Sequence, residues 1–176
     1  MTVGAEILER ARRIRLVVFD VDGVLTDGRL YFSPDGLEMK VFHARDGLGI
    51  KQLRHHGIDV AVISGRTSPV VTRRMEALGV RRVHQGQDDK LPVLHTLLEE
   101  LALDPVACAY VGDDVIDLPP MSVVGLACAV ADAHPATLAA AHWVAPLGGG
   151  LGGARAVCDL ILGAQGVDID RWNDRP

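Results

Sequence analysis

Short runs of consecutive apolar residues recur along the chain, and each stops on polar side chains. Leu16-Val17-Val18-Phe19 stops on Asp20, Ile58 to Ile63, apolar but for Asp59, on Ser64-Gly65-Arg66, Cys108 to Val111 on Gly112-Asp113-Asp114, and Leu126 to Val130 comes to Asp132. Runs of this length, rich in β-branched residues, predict strands buried on both faces, as in a parallel sheet. Arg81 to Gln85 and Trp143-Val144 add two shorter strands. Between them lie stretches with helical spacing. Glu6 to Ile14 leads. A second helix opens at Ala44-Arg45-Asp46-Gly47, with Asp46 as the expected N-cap, and stops at Gly57. Ser68-Pro69 starts a third that ends at Gly79, and others run from about Lys90 to Leu101, from His134-Pro135 to Ala141 and from Ala154 to Leu162. Alternation of this kind predicts an α/β fold, a doubly wound parallel sheet with helices on both faces.

The pattern breaks between Thr26 and Phe42. Two short extended segments flank Ser33-Pro34-Asp35-Gly36, a turn sequence, so residues 29–42 are expected to form a β-hairpin standing over the first strand's end as a flap. Leu30, Phe32, Met39 and Val41 would give it an apolar side, and an isolated hairpin is marginal in water, so it needs another surface to lean on, such as a second subunit. The glycine run at 148–153 is flexible by composition. Residues 1–166 are expected to form one domain, and residues 167–176 a loose end.

Composition narrows the function. A chain of 176 residues with 48% hydrophobic residues and mean hydropathy +0.19 can bury one good core. A net charge of -5 and 4% aromatic residues argue against nucleic-acid binding, and Arg10, Arg12, Arg13 and Arg15 read as the solvated face of the leading helix. With no apolar run long enough to span a bilayer and no signal-like opening, the expectation is a soluble, cytoplasmic protein with no membrane partner. Cys108, Cys128 and Cys158 stand singly in apolar contexts, which suits free thiols in a reducing compartment.

The chemistry collects at the strand ends, where open α/β sheets bind ligands. Asp20 and Asp22 end the first run, and taken alone they are also ordinary turn formers. Ser64 ends the second run, Lys90 follows the third strand, and Asp113, Asp114 and Asp117 follow the fourth. Lys90 is one of three lysines, with Lys40 and Lys51. A nest of carboxylates with one hydroxyl and one ammonium suits a hard divalent cation such as magnesium and phosphate chemistry.

D-x-D-G-V at 20–24, Ser64, Lys90 and G-D-D-x-x-D at 112–117 together resemble the four motifs of the haloacid dehalogenase superfamily of phosphotransferases. Phe42 to Ile50, Ile63 to Arg66, Gln85 to Lys90, Ala129 to Pro135 and Cys158 to Gly166 resemble the 3-deoxy-D-manno-octulosonate 8-phosphate phosphatases within it. The resemblance implies a small, capless, magnesium-dependent homotetramer acting on a sugar phosphate in lipopolysaccharide synthesis. The short spacings from Asp20 to Ser64 and from Ser64 to Lys90 leave no room for a separate lid domain.

Roles follow from the resemblance. Asp20 is expected to attack phosphorus, forming an aspartyl phosphate, and Asp22 to act as acid and then base. Asp20, the backbone carbonyl of Asp22, and Asp113 are expected to hold magnesium. Ser64, Gly65 and Lys90 would hold the phosphoryl group, while Asp114 and Asp117 would support the metal ligands or cap the helix that follows. Arg66, and after it Arg45, would read the substrate's carboxylate through paired hydrogen bonds, with Arg155 contributing from the tail. One departure stands in the glycine run, where Leu151 replaces the family's arginine. Other readings stay open at this point: a phosphatase for 2-keto-3-deoxynononate 9-phosphate, a signalling receiver domain, which would lack Asp22, or a silent oligomerisation module.

Overall fold

The computed structural model describes residues 3–170. In chain order, α1 (Ala5–Arg12) leads into β1 (Leu16–Phe19); β2 (Tyr31–Phe32) and β3 (Glu38–Met39) form a ribbon; then follow α2 (Ala44–His55), β4 (Asp59–Ile63), α3 (Pro69–Leu78), β5 (Arg82–His84) and α4 (Lys90–Glu100). The second half comprises β6 (Cys108–Gly112), α5 (Leu118–Met121), β7 (Leu126–Ala129), α6 (Pro135–Ala140), β8 (Trp143–Val144) and α7 (Gly153–Ala164). Six strands make one parallel sheet in the order β5-β4-β1-β6-β7-β8. The chain winds outward from β1 through β4 to β5, then returns to β1's other side at β6. The loops leaving β1 and β6 therefore diverge, and the crevice between them is the sheet's switch point.

Alternation along β1 divides the core. Val17 and Phe19 face a layer that includes α1, α2, α3 and α7, while Leu16 and Val18 face α4 and α5. All four are fully buried, so β1 is covered on both sides, as its apolar run predicts. Among the described residues no helix is long and apolar enough to cross a membrane.

Several local expectations are corrected. The N-cap of α2 is His43, whose side chain accepts from Arg45 N, and not Asp46. Asp46 lies buried in the first turn, where Oδ1 accepts from Arg155 N (2.8 Å) and so caps α7, a contact set by tertiary packing. In the ribbon only two residues per strand pair, with Tyr31 opposite Met39 and Phe32 opposite Glu38. Phe32 and Met39 thus lie on opposite faces instead of sharing one apolar side. Val167 and Ile169 pack on the core, so the loose end does not begin at 167; residues 171–176 of that expectation lie outside the described residues.

The glycine run at 148–153 is not a free tail. Gly149 N donates to Asp132 Oδ1 (2.9 Å), in the loop after β7, and Gly150 N to Val24 O (3.0 Å), which straps the segment against the loop after β1. A Cβ on Gly149 would overlap the carbonyl oxygens of Gly23 and Thr26. Glycine is required because two backbones meet there. Gly149→Ala is accordingly expected to destabilise the fold by about 1–3 kcal/mol, read as a lowered midpoint in chemical denaturation; an unchanged midpoint would show that the strap can shift away.

Candidate active site

Register brings the chemistry to one edge. Phe19 pairs with Val62 on one side and Val111 on the other, so Asp20, Ser64 and Asp113 emerge from three adjacent strands at the same end. Asp20 N extends the ladder by donating to Val111 O (3.0 Å). Asp20 is 4% exposed, and carboxylate oxygens of Asp20, Asp113 and Asp117 lie within 4.8 Å of one another.

Lys90, at the start of α4, is buried between two of them. Its Nζ lies 3.0 Å from Asp20 Oδ1 and 2.7 Å from Asp117 Oδ1. Asp117, fully buried, is the hub: Oδ1 also accepts from Tyr110 OH (2.8 Å), and Oδ2 accepts from Asp113 N (2.9 Å) and Asp114 N (3.2 Å). With both oxygens committed to donors, Asp117 shapes the loop and holds Lys90. Asp114 is exposed, and its Oδ1 caps the following 3-10 turn through Val115 N (2.7 Å), in a reciprocal capping box with Asp117. Ser64 is buried at the end of β4, held by Ser64 N to His84 O (2.9 Å) and Gln87 N to Ser64 O (3.0 Å). Gly65, next in that loop, has Asp88 and Ile116 at ordinary contact distance from where a Cβ would stand.

A second set of charges joins the ribbon to the crevice. Lys40 Nζ donates to Asp22 Oδ1 and lies 3.4 Å from Glu38 Oε1. Arg66 Nη2 donates to Glu38 Oε1 (3.1 Å), and Arg66 Nε stands 3.9 Å from Asp22 Oδ2. Arg66 thus stands beside Asp22 and Glu38 at the mouth of the crevice. Arg45 is exposed in the first turn of α2, its guanidinium near Gly152. Arg155, expected to reach substrate, instead directs Nε to Asp159 Oδ1 (2.7 Å) and lies against Gly49 in the seam of α2 and α7. Sequence reasoning passed over Lys40, Glu38 and Tyr110. The phenol within the apolar run of β6 was the one visible signal, since a buried hydroxyl requires a partner.

Comparison with known proteins adds ancestry to this geometry. The family model for haloacid dehalogenase-like hydrolases matches residues 81–147. The 3-deoxy-D-manno-octulosonate 8-phosphate phosphatases of Yersinia pestis and Escherichia coli are 49% and 48% identical, each over 93% of this chain and 87% of its own. The chain belongs to this phosphatase family. The crystal structure of the Yersinia pestis member matches with a TM-score of 0.92, covering 93% of this chain and 89% of that one. That of the Moraxella catarrhalis member, solved with magnesium ion, phosphate ion and a KDO molecule, is 41% identical, matches with a TM-score of 0.90 and covers 92% of each chain.

The residues of this phosphatase fit such a cation. Asp113 Oδ1 is buried without a hydrogen-bond partner, and Gly23, with φ +94°, leaves the space that the Asp113 carboxylate fills. Burial, then repulsion from Asp117, raises the Asp20 carboxyl to about 6, against the pull of Lys90. Burial, then repulsion from Asp20 and Asp117, raises Asp113 to about 8. Burial pulls the Lys90 ammonium down, yet Asp20 and Asp117 outweigh it and leave the group raised. A cluster this acidic and this buried lacks positive charge, and a hard cation supplies it.

The sign of the pH effect follows. Without metal, the folded state binds protons at Asp20 and Asp113 more tightly than the unfolded chain, so their contribution to stability is present below about pH 4 and is lost as pH rises through about 6 and 8. In chelator, Asp113→Asn is expected to melt a few degrees above wild type at about pH 8.5 and to converge with it near pH 4. A constant difference across that range would contradict the assignment.

Proposed function

We propose that this protein is a magnesium-dependent phosphomonoesterase that converts 3-deoxy-D-manno-octulosonate 8-phosphate to 3-deoxy-D-manno-octulosonate and phosphate. The observation that carries the reading is the cluster of buried Asp20, Lys90 and Asp117 with half-buried Asp113 at the switch point of a chain from this family. Asp20 is the nucleophile: its carboxylate oxygen bonds to phosphorus as the bond from phosphorus to the sugar oxygen breaks. Asp22 protonates that departing oxygen. Water then attacks the aspartyl phosphate, Asp22 takes its proton, and phosphate leaves. Asp20, Asp113 and the backbone carbonyl of Asp22 would hold magnesium, which neutralises developing charge on the phosphoryl group. Lys90 and Ser64 hold the phosphoryl oxygens, and Lys90 keeps Asp20 ionised and aimed.

The same reading covers recognition. Arg66 stands at the mouth with its guanidinium on Glu38, and a substrate carboxylate competes for that fork. Arg45 is the second candidate. Arg155, engaged by Asp159, is left out. Leu30, Phe32, Leu37, Met39 and Val41 of the ribbon are 46–65% exposed, a concentration of apolar surface that further copies of the chain would cover, giving a homotetramer. The three cysteines are free and buried, which fits a reducing cytoplasm.

Four measurements test this. Excess chelator should abolish phosphate release and magnesium restore it, and the eight-carbon substrate should be preferred to 2-keto-3-deoxynononate 9-phosphate; the reverse preference would reassign the substrate. Asp20→Asn should fall to background, whereas Asp22→Asn should lose about 100-fold or more on the sugar phosphate and less on an aryl phosphate, whose leaving group needs little protonation. Wild-type turnover in either variant would sink the two-aspartate mechanism. Light scattering at micromolar concentration should give four copies, and a fully active monomer would contradict the assembly.

A further inference from the structure

The ribbon carries a buried charge. Met39 and Val41 are 59% and 61% exposed, yet the Lys40 side chain between them is 1% exposed. Burying an ammonium is costly unless carboxylates meet it, and here two do, Asp22 and Glu38. The contact divides the two oxygens of Asp22. Oδ1 accepts from Lys40, while Oδ2 is buried with no hydrogen-bond partner and faces Arg66 Nε at 3.9 Å.

Resting on the reading of Asp22 as acid and base, we propose that Lys40 is the positioning residue for that carboxylate: it clamps Oδ1 and leaves Oδ2 as the oxygen that transfers the proton. In the first half-reaction the proton on Oδ2 passes to the sugar oxygen as its bond to phosphorus breaks and the bond from Asp20 forms. In the second, a water proton passes to Oδ2 as the water oxygen bonds to phosphorus and the bond to Asp20 breaks. Because the clamp comes from the ribbon, Asp22 is aimed only while the ribbon is seated. Proton transfer and closure over the crevice are thereby joined in one ion pair. Glu38, which contacts both Lys40 and Arg66, holds the ribbon's cations in register with the mouth.

The test is a double-mutant cycle on the full-length enzyme with magnesium, using the sugar 8-phosphate and p-nitrophenyl phosphate. Lys40→Met is expected to lower kcat on the sugar phosphate at least about 10-fold, with a loss on the aryl ester several-fold smaller. Lys40→Arg should recover part of it. Adding Lys40→Met to Asp22→Asn should cost less than about twofold more, since a residue acting through Asp22 has nothing left to aim. Equal losses on the two esters, a change confined to KM, or losses that multiply in the double variant would each overturn the proposal and leave Lys40 a structural pin. If Lys40→Met does not fold, judged by its thermal melt, Lys40→Arg decides on the same ester comparison. A deficient Asp22→Asn beside an unimpaired Lys40→Met would refute the clamp alone, whereas an unimpaired Asp22→Asn would remove the acid-base reading beneath it.

Discussion

Everything at the crevice depends on keeping several carboxylates together where water is scarce. Two like charges less than 5 Å apart repel by roughly 3 kcal/mol at an effective dielectric of about 20, and Asp20, Asp113 and Asp117 all meet that condition. Lys90 answers part of the repulsion by bridging Asp20 and Asp117. Asp113 is left with a bare oxygen, and the deficit falls where the proposed metal would sit. This imbalance lies at the sheet's switch point, where the loops leaving β1 and β6 diverge.

The parallel sheet was legible because its inner strands are buried on both faces and are mostly apolar, as in Leu16 to Phe19. Pro69 and Gly79 marked the ends of α3 because their preferences are local backbone effects, whereas Ser68 stands at the N-cap without a side-chain capping bond. The carboxylates could be placed because a strand's end is a position that sequence specifies. What sequence did not yield were contacts between distant segments. Asp46 looked like a cap for its own helix and caps α7 instead. Lys40 looked like any ribbon lysine, and its burial depends on Asp22, eighteen positions earlier. The glycine run seemed flexible because composition reports the freedom of a chain and not what it touches.

The strap and the ribbon constrain the D-x-D loop from two directions. Gly150 N holds Val24 O from below, and Lys40 holds Asp22 from above. The first constraint is backbone to backbone and persists whatever the charge state. The second is ionic and belongs to an element with only two paired residues per strand. The loop thus combines a backbone floor with an ionic contact from the ribbon.

Asp117 has a consequence for how this position can vary. Four donors converge on its two oxygens, and Gly112 offers no room because a Cβ there would collide with the Asp117 side chain. Asparagine would turn one corner of the group into a donor facing donors. Glutamate would bring an extra methylene into a slot already filled. Both of its nearest chemical relatives are therefore disfavoured here, one by charge and the other by size.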